Sequence, residues 1–207
     1  MKVLLINGSP RPAGCTYTAL REVANAIEAE GIETEFFQIG TEPVRGCIEC
    51  WKCSKLGHCF YDDDICNKMA ERMIAADGIV IGTPVFYAAP AGQLCAVLDR
   101  IFYAQSPELA YKPAAAVVNC RRGGASAAFD RLNKYFTINH MPVVSSQYWN
   151  SVHGRKPEEV LQDKEGMQTM RMIGKNMAWL LKNIEAGGVP RPEQEPWEMT
   201  DFCRKQR

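Results

Sequence analysis

KVLLINGSPRPAGCTYT, residues 2–18, joins a short apolar run to a loop of glycine, serine and proline. The run Lys2–Asn7 has the length and composition of a buried strand, and the loop begins at Gly8. From Thr16 onward the period changes to that of a helix, which ends near Gly31. The apolar positions of that helix are Leu20, Val23, Ala24 and Ile27. The chain therefore opens with a strand, a loop and a helix.

The same alternation continues along the chain. Four more strands are predicted, at Glu33–Ile39, Gly78–Gly82, Ala114–Asn119 and Pro142–Gln147. Helices are predicted between them at 65–76 and at 125–138. Another helix is predicted to begin with Pro90 in its first turn. A final helix carries one apolar face with Met170, Ile173, Met177, Leu180 and Ile184. Five strands alternating with helices predict an α/β fold with a parallel sheet of strand order 2-1-3-4-5, covered by helices on both faces.

Composition limits the classes of partner. The chain has 207 residues, 46% of them hydrophobic, which is enough for one well-buried core. Lys plus Arg and Asp plus Glu both number 24, and this balance argues against binding to nucleic acid or to an anionic membrane. No apolar stretch is long enough for a signal-peptide core or a membrane span, so a cytoplasmic location is expected. In that setting the nine cysteines favour thiols or metal ligands over disulfides.

The loop after the first strand predicts an anion site. Free N–H groups and the positive end of the helix dipole meet there, with hydroxyls from Ser9, Thr16 and Thr18 and a charge from Arg11. Neither a Gly-x-x-x-x-Gly-Lys-Ser/Thr pattern nor a Gly-x-Gly-x-x-Gly pattern is present, which favours a mononucleotide phosphate. An ordinary glycine-containing turn capped by Thr16 remains the alternative.

Two further loops follow strands that neighbour the first one in the predicted sheet. After the third strand, Phe86 and Tyr87 offer aromatic surface, and the backbone at Pro84 and Val85 offers hydrogen bonds to a ring edge. After the fourth strand comes the segment Asn119–Gly124, with two arginines and two glycines. The glycines permit close backbone approach, and an arginine stabilises negative charge on a reduced flavin ring.

Taken together, these motifs resemble those of the NAD(P)H-dependent FMN reductases and iron-sulfur flavoproteins. The motifs are Asn-Gly-Ser-Pro-Arg, Thr-Pro-Val-Phe-Tyr with a following Pro-x-x-x-Leu-Cys-x-x-x-Asp-Arg, and Arg-Arg-Gly-Gly. The resemblance runs from Lys2 to about Ile184. It implies a flavodoxin-like three-layer α/β/α sandwich over residues 1–186, with a cysteine-rich insertion at 40–66 and a tail at 187–207.

The resemblance also implies the cofactor and its contacts. FMN would be bound, with NAD(P)H as a transient donor, in a homodimer or homotetramer. The implied phosphate contacts come from Ser9, Arg11, Cys15, Thr16 and Thr18. The implied ring contacts come from Pro84, Val85, Phe86, Tyr87, Asn119, Cys120, Arg121, Arg122, Gly123 and Gly124. Relatives often carry serine or asparagine in place of Cys15, so one phosphate hydrogen bond is expected to be lost here.

A cysteine run forms the second candidate site. Cys47, Cys50, Cys53 and Cys59 have the spacing Cys-x2-Cys-x2-Cys-x5-Cys, which a four-iron (4Fe-4S) cluster uses. Zinc is an alternative, because four thiolates also suit a tetrahedral structural site. A third interpretation is that the thiols hold no metal. After the run, Asp64 is predicted to cap the next helix.

The sequence thus predicts an FMN-dependent oxidoreductase that passes electrons from a reduced donor to a small acceptor such as a quinone or a flavin. In this interpretation the flavin carries the chemistry and no side chain serves as acid or base. An iron-sulfur flavoprotein that carries electrons between partner proteins is the first alternative. A structural zinc protein with a vacant nucleotide pocket is the second.

Overall fold

The computed structural model describes residues 1–193, 195, 196, 198 and 200. Part of the predicted tail at 187–207, including Cys203, lies outside the described residues. The strands are β1 (Lys2–Asn7), β2 (Glu33–Gln38), β3 (Gly78–Phe86), β4 (Ala89–Pro90), β5 (Ala114–Cys120) and β6 (Ser151–His153). The helices are α1 (Cys15–Glu28), α2 (Cys53–Leu56), α3 (Cys66–Ala75), α4 (Gly92–Leu109), α5 (Ala125–Ile138), α6 (Pro157–Gln162) and α7 (Lys164–Ala186).

The strands form one sheet of order β2-β1-β3-β5-β6. All four pairings along this path are parallel, so the predicted order 2-1-3-4-5 is confirmed. The two-residue β4 adds an antiparallel pairing to the end of β3, which was not predicted. Together β3 and β4 form a hairpin that continues past the carboxyl edge of the sheet.

Helices cover both faces of the sheet, as predicted. Along β1 the side chains of Leu4 and Ile6 point to one face, where they pack with buried residues of α3, α4 and α5. The side chains of Val3 and Leu5 point to the other face, where α1 and α7 cover them. The central strands β1, β3 and β5 are therefore buried on both faces over most of their length, which explains their continuous apolar runs in the sequence.

The predicted fifth strand at 142–147 is wrong. Only one isolated bridge forms there, between Val143 and Ala114, and the edge strand is β6 instead. The hydroxyl of Ser146 lies 2.6 Å from the carbonyl oxygen of Tyr148 and 2.8 Å from Oδ1 of Asn150. These contacts stabilise a turn that takes the chain away from β5, and the chain returns to the sheet at residue 151.

Two helix predictions are also corrected. Pro90 lies in β4 and not in a first helical turn, because the N–H of Ala91 donates to Oγ1 of Thr83 at 3.0 Å and α4 begins only at Gly92. On α7 the apolar face ends at Leu181, which is 3% exposed, whereas Ile184 is 51% exposed. The core on that face includes no residue of α7 after Leu181, so the last turn of the helix has nothing to pack against.

Gly174 marks a close approach of α7 to α1. A Cβ atom there would lie 2.6 Å from the carbonyl oxygen of Val23 and 2.6 Å from Cβ of Ala26. Gly174→Ala is expected to lower the free energy of unfolding by about 1–2 kcal/mol, because overpacking outweighs the gain of about 1 kcal/mol in helix propensity. The measurement is chemical denaturation followed by circular dichroism.

Gly92→Ala is the matched control for this prediction. A Cβ atom at Gly92, in the first turn of α4, would meet no heavy atom within 4 Å. Its free energy of unfolding is expected to stay unchanged or to rise. If the two variants have equal free energies of unfolding, α1 and α7 can move apart without loss of stability.

Candidate functional site

A cleft of about 580 Å³ opens where β1, β3, β5 and β6 end. Such a position, outside the carboxyl ends of the strands, is where parallel α/β sheets bind ligands. Four segments contribute its lining residues, at 9–16, 84–86, 119–121 and 154–157.

The structure brings most of the predicted cofactor contacts to this cleft, from three separate loops. The predicted residues that line it are Ser9, Arg11, Cys15, Thr16, Pro84, Val85, Phe86, Asn119, Cys120 and Arg121. The predicted residues that do not line it are Thr18, Tyr87, Arg122, Gly123 and Gly124. The first loop thus contributes four of its five predicted contacts, the segment after β3 contributes three of four, and the segment 119–124 contributes three of six.

The first turn of α1 faces the cleft with free backbone donors. Its N-cap is Gly14, which has no capping side chain, and the turn contains no acidic residue. Thr16 lies inside the turn and is not the cap, so the alternative of a Thr16-capped turn is wrong. The hydroxyl of Thr18 donates to the carbonyl oxygen of Gly14 at 3.2 Å and is thereby used within the helix. Unpaired N–H groups and the positive end of the helix dipole at this turn favour an anion.

An amide pair formed by the buried Asn7 and the half-buried Gln38, which the sequence analysis missed, holds the first loop in place. Nδ2 of Asn7 donates to Oε1 of Gln38 at 2.6 Å and to the carbonyl oxygen of Arg11 at 3.2 Å. Oδ1 of Asn7 accepts from the N–H of Ser9 at 3.2 Å, and Nε2 of Gln38 donates to the carbonyl oxygen of Ser9 at 2.6 Å. The only signal in the sequence was a polar residue at the end of each of two apolar strands.

The hairpin of β3 and β4 forms one wall of the cleft. Phe86 is partly exposed there, and Tyr87 stands at the hairpin tip, fully exposed and with a left-handed backbone at φ 58°. Gly124 lies beneath this hairpin with φ 89°, and a Cβ atom there would come within 2.8 Å of Cγ1 of Val85. Gly124 therefore packs the loop after β5 against the hairpin, and its conformation requires glycine.

A fourth loop, Gly154–Pro157, was missed by the sequence analysis. Nδ2 of Asn119 donates to the carbonyl oxygen of Gly154 at 3.3 Å, which joins this loop to the end of β5. Arg155 and Lys156 add positive charge to a cleft that already contains Arg11 and Arg121. None of the described residues that line the cleft is an aspartate or a glutamate. The cleft is therefore basic and suits an anionic ligand.

Two thiols in the cleft stay protonated at neutral pH. Burial raises the pKa of Cys15 and that of Cys120. A protonated thiol is a poor nucleophile and a weak hydrogen-bond partner. Both cysteines line the cleft wall, where a raised pKa disfavours the reactive thiolate form.

The four cysteines of the predicted metal motif lie around a second, smaller cavity of about 30 Å³. All four line it, together with Arg100 of α4. The backbone is left-handed at Glu49 and at Trp51, with φ values of 52° and 58°, so the chain turns sharply between the first three cysteines. The N–H of Glu49 donates to Sγ of Cys47 at 3.5 Å, a contact that stabilises negative charge on sulfur.

The geometry around this cavity helps to distinguish a single metal ion from an iron-sulfur cluster as its occupant. In the described part of the chain, no three His, Cys, Asp or Glu side chains converge closely enough for a single metal ion. A tetrahedral zinc ion with Zn–S bonds of about 2.3 Å would require sulfur atoms about 3.8 Å apart. An iron-sulfur cluster separates its four thiolates further than a single metal ion does, and four cysteine thiolates are the ligands that such clusters use. Cys66 does not line this cavity, and burial raises the pKa of its thiol to about 12.

The fold and the cleft define a flavodoxin-like α/β protein with a basic site at its strand ends. The chain belongs to the NADPH-dependent FMN reductase family, whose model matches residues 1–156. An iron-sulfur flavoprotein of Methanocaldococcus jannaschii is 34% identical over 196 residues, which cover 89% of this chain and all of that protein. A second one from the same organism is 32% identical, over 83% of this chain and 92% of that protein.

Solved structures agree on the fold. RosB aligns over 100% of this chain and 95% of its own, with a TM-score of 0.68 at 15% identity. An archaeal flavodoxin aligns over 88% of this chain and 99% of its own, with a TM-score of 0.60 at 17% identity. The predicted family and fold are thus confirmed, and the chain is a flavin-dependent oxidoreductase. None of the helices in the described residues has the length and apolar character needed to cross a membrane.

Proposed function

We propose that this chain binds FMN in the cleft and transfers electrons from a reduced donor, NADH or NADPH, to a small acceptor such as a quinone or a free flavin. The basic cleft at the uncapped N-terminus of α1, beside an aromatic hairpin, is the observation that carries this proposal. Residues 1–186 then form the FMN-binding domain, with the cysteine-rich insertion at 40–66, and residues 187–207 form the tail. In this proposal the chain acts in the cytoplasm as a homodimer or homotetramer.

Each segment of the cleft has a role in this proposal. The first turn of α1, with Ser9 and Arg11, binds the FMN phosphate through N–H groups, a hydroxyl and a guanidinium. The hairpin at Pro84–Phe86 would contact the isoalloxazine ring, and Arg121 would stabilise negative charge on the reduced ring. A nicotinamide donor would bind only transiently, which would leave the site open to a small acceptor.

The proposal needs no acid or base from the protein. FMN supplies the redox chemistry when it is bound. The described residues that line the cleft include no Asp, Glu or His, and the raised pKa values of its two thiols keep them neutral. The protein therefore binds, orients and electrostatically stabilises the cofactor.

A second candidate function rests on the cysteine cavity. Four cysteines from one segment line the same space, and the donor set fits a 4Fe-4S cluster held by Cys47, Cys50, Cys53 and Cys59. The two Methanocaldococcus relatives bear the name iron-sulfur flavoprotein, which supports the same assignment. A cluster would supply one-electron transfer, so the chain would relay electrons between a redox protein and FMN.

Purification without oxygen tests both candidates. Flavin absorption bands and one FMN per chain are expected, and a preparation without flavin that binds none on addition contradicts the main proposal. Oxidation of NADPH or NADH by the purified protein supports the reductase. About four irons and four sulfides per chain, with reduction only by a ferredoxin-type donor, support the carrier. Stoichiometric zinc in place of iron contradicts the carrier.

Asn7→Ala tests the link between the amide pair and the cleft. The substitution leaves the N–H of Ser9, the carbonyl oxygen of Arg11 and Oε1 of Gln38 without their partner. We expect the free energy of unfolding to fall by about 2–3 kcal/mol and FMN to bind roughly tenfold more weakly. Denaturation and fluorescence titration with FMN measure the two effects.

Asn25→Ala is its matched control. Asn25 is exposed on α1, and its Oδ1 accepts from Nε of Arg21 at 2.9 Å. Little change in stability and none in FMN affinity is expected for this variant. If Asn7→Ala binds FMN as the wild type does, the conformation of the first loop does not depend on the amide pair.

A further inference from the structure

Arg100 of α4 is a buried cation with an unusual set of contacts. Its side chain is 1% exposed and forms an ion pair with Asp64, whose side chain is 4% exposed. Nε of Arg100 donates to Sγ of Cys59 at 3.1 Å. Its Nη1 donates to the carbonyl oxygen of Arg45 at 3.1 Å, and its Nη2 donates to that of Tyr61 at 2.9 Å. All three nitrogens of one guanidinium are thus engaged with the cysteine-rich segment.

These contacts fall on both ends of the segment that carries the cysteines. Arg45 stands two residues before Cys47, and Tyr61 stands two residues after Cys59. Arg100 therefore closes residues 45–61 into a loop whose two ends are held on one helix. Much of this segment lacks regular structure, with α2 as its only helix, so few backbone bonds of its own order it. Without the two carbonyl contacts, the ends would lose their shared attachment to α4.

We propose that Arg100 is the positioning residue of the four-cysteine site: it holds the two ends of the segment together and places its positive charge against the sulfur of Cys59. This inference rests on the proposed cluster at these cysteines. Four thiolates carry negative charge, and a buried cation next to their cavity stabilises that charge. Hydrogen bonds to cluster sulfurs and nearby charge also raise the reduction potential of a centre.

The shape of the arginine side chain is essential to this role. The planar guanidinium reaches sulfur, carboxylate and two carbonyl oxygens at the same time through a fixed set of N–H donors. A lysine in its place would keep the charge but would have one nitrogen for four acceptors. Arg100→Lys keeps the positive charge, so its reduction potential is expected to stay near that of the wild type. It loses most of the contacts, so residues 45–61 are expected to be less ordered.

The test uses a double variant, because removal of Arg100 alone leaves the buried carboxylate of Asp64 without its counter-charge. Arg100→Gln with Asp64→Asn removes both charges together and keeps a polar amide side chain at each position. The matched control is Arg131→Gln with Asp99→Asn, which removes an exposed ion pair between α4 and α5 that lies 3.2 Å apart. Wild type, both double variants and Arg100→Lys are purified without oxygen and compared in FMN content, iron content, midpoint potential and hydrogen exchange of residues 45–61.

The expected result is full FMN content in every variant, with at least a twofold loss of iron in Arg100→Gln/Asp64→Asn. The centre that remains in this variant has a more negative midpoint potential, and residues 45–61 exchange faster. Arg100→Lys keeps a potential nearer to that of the wild type. If the two double variants have equal iron content, equal midpoint potential and equal hydrogen exchange of residues 45–61, the proposal is overturned.

Failure of the cluster assignment is distinguishable from failure of this inference. Wild-type protein that takes up no iron under these conditions refutes the cluster assignment by itself. Hydrogen exchange of residues 45–61 in the metal-free protein then decides the role of Arg100. Faster exchange in Arg100→Gln/Asp64→Asn than in its control supports Arg100 as the attachment of the segment, and unchanged exchange overturns it.

Discussion

Asp64→Ala is expected to lower the free energy of unfolding by about 3–5 kcal/mol, because removal of one partner from a buried ion pair leaves the other charge uncompensated. The charge left behind is that of Arg100, which no water can reach. Asp64 also accepts the N–H of Arg45 and the N–H of Cys66, both at 3.0 Å, so two further donors lose their partner. Chemical denaturation of the purified variant measures the effect.

The neighbouring carboxylate supplies the control. Asp63 forms an ion pair with Arg45 at 2.7 Å, but the two side chains are 56% and 55% exposed. Exposed pairs contribute little to stability, so Asp63→Ala is expected to behave nearly as the wild type. A small and equal effect of the two substitutions would show that water reaches the pair of Asp64 and Arg100.

The same ion pair gives the stability a defined pH dependence. Burial by itself would raise the pKa of Asp64, but hydrogen bonds from Arg100, Arg45 and Cys66 outweigh burial and lower the pKa. A carboxyl group with a lowered pKa in the folded state contributes stability above its ordinary pKa of about 3.9 and loses that contribution as the pH falls. The wild type is therefore expected to lose stability in acid more steeply than Asp64→Asn.

Arg11→Glu is expected to weaken FMN binding by about 100-fold. The substitution removes a charge-assisted contact to the phosphate, which is worth about 1.5–3 kcal/mol, and adds like-charge repulsion. Each 1.4 kcal/mol corresponds to a tenfold change in affinity. Fluorescence titration of the flavin-free protein measures the dissociation constant, and raised salt should reduce the difference from the wild type.

Arg21→Glu is the charge-matched control. Arg21 lies on α1, after the loop that carries Arg11; it forms an ion pair with Glu28 at 2.5 Å and does not line the cleft. Its FMN affinity is expected to remain within about twofold of the wild type, since surface charges at this distance are screened by salt. If Arg11→Glu also binds FMN normally, the phosphate does not lie at the first turn of α1.

Local patterns predicted the first loop well and the last strand badly. The unit from Lys2 to Thr18 carries its own signals, because an apolar strand, a glycine loop and a helical period follow one another directly. Residues 142–147 also have the composition of a strand, yet the contacts of Ser146 turn the chain away. The real edge strand has three residues, which is too short for any periodicity to reveal.

Long-range contacts explain most of what was missed. Asn7 and Gln38 are 31 residues apart, and Arg100 lies 36 residues from Asp64. Neither pair produces a periodic pattern, so the amide pair and the buried arginine emerge only from the folded chain. The prediction that Asp64 caps the next helix is wrong, because the N-cap of α3 is Ile65. Asp64 stands one residue earlier, where it accepts the N–H of Cys66 and pairs with Arg100.

The two outer strands of the sheet limit how copies of the chain can associate. β6 has three residues, and β2 begins with Glu33 and carries Glu35, which is paired with Lys2 and Arg72. Short outer strands and charged side chains prevent edge-to-edge pairing of sheets between molecules. A sheet that continues from one subunit into the next is thereby disfavoured, and so is aggregation through paired sheet edges. Any homo-oligomer of this chain is expected to associate through its helices and loops.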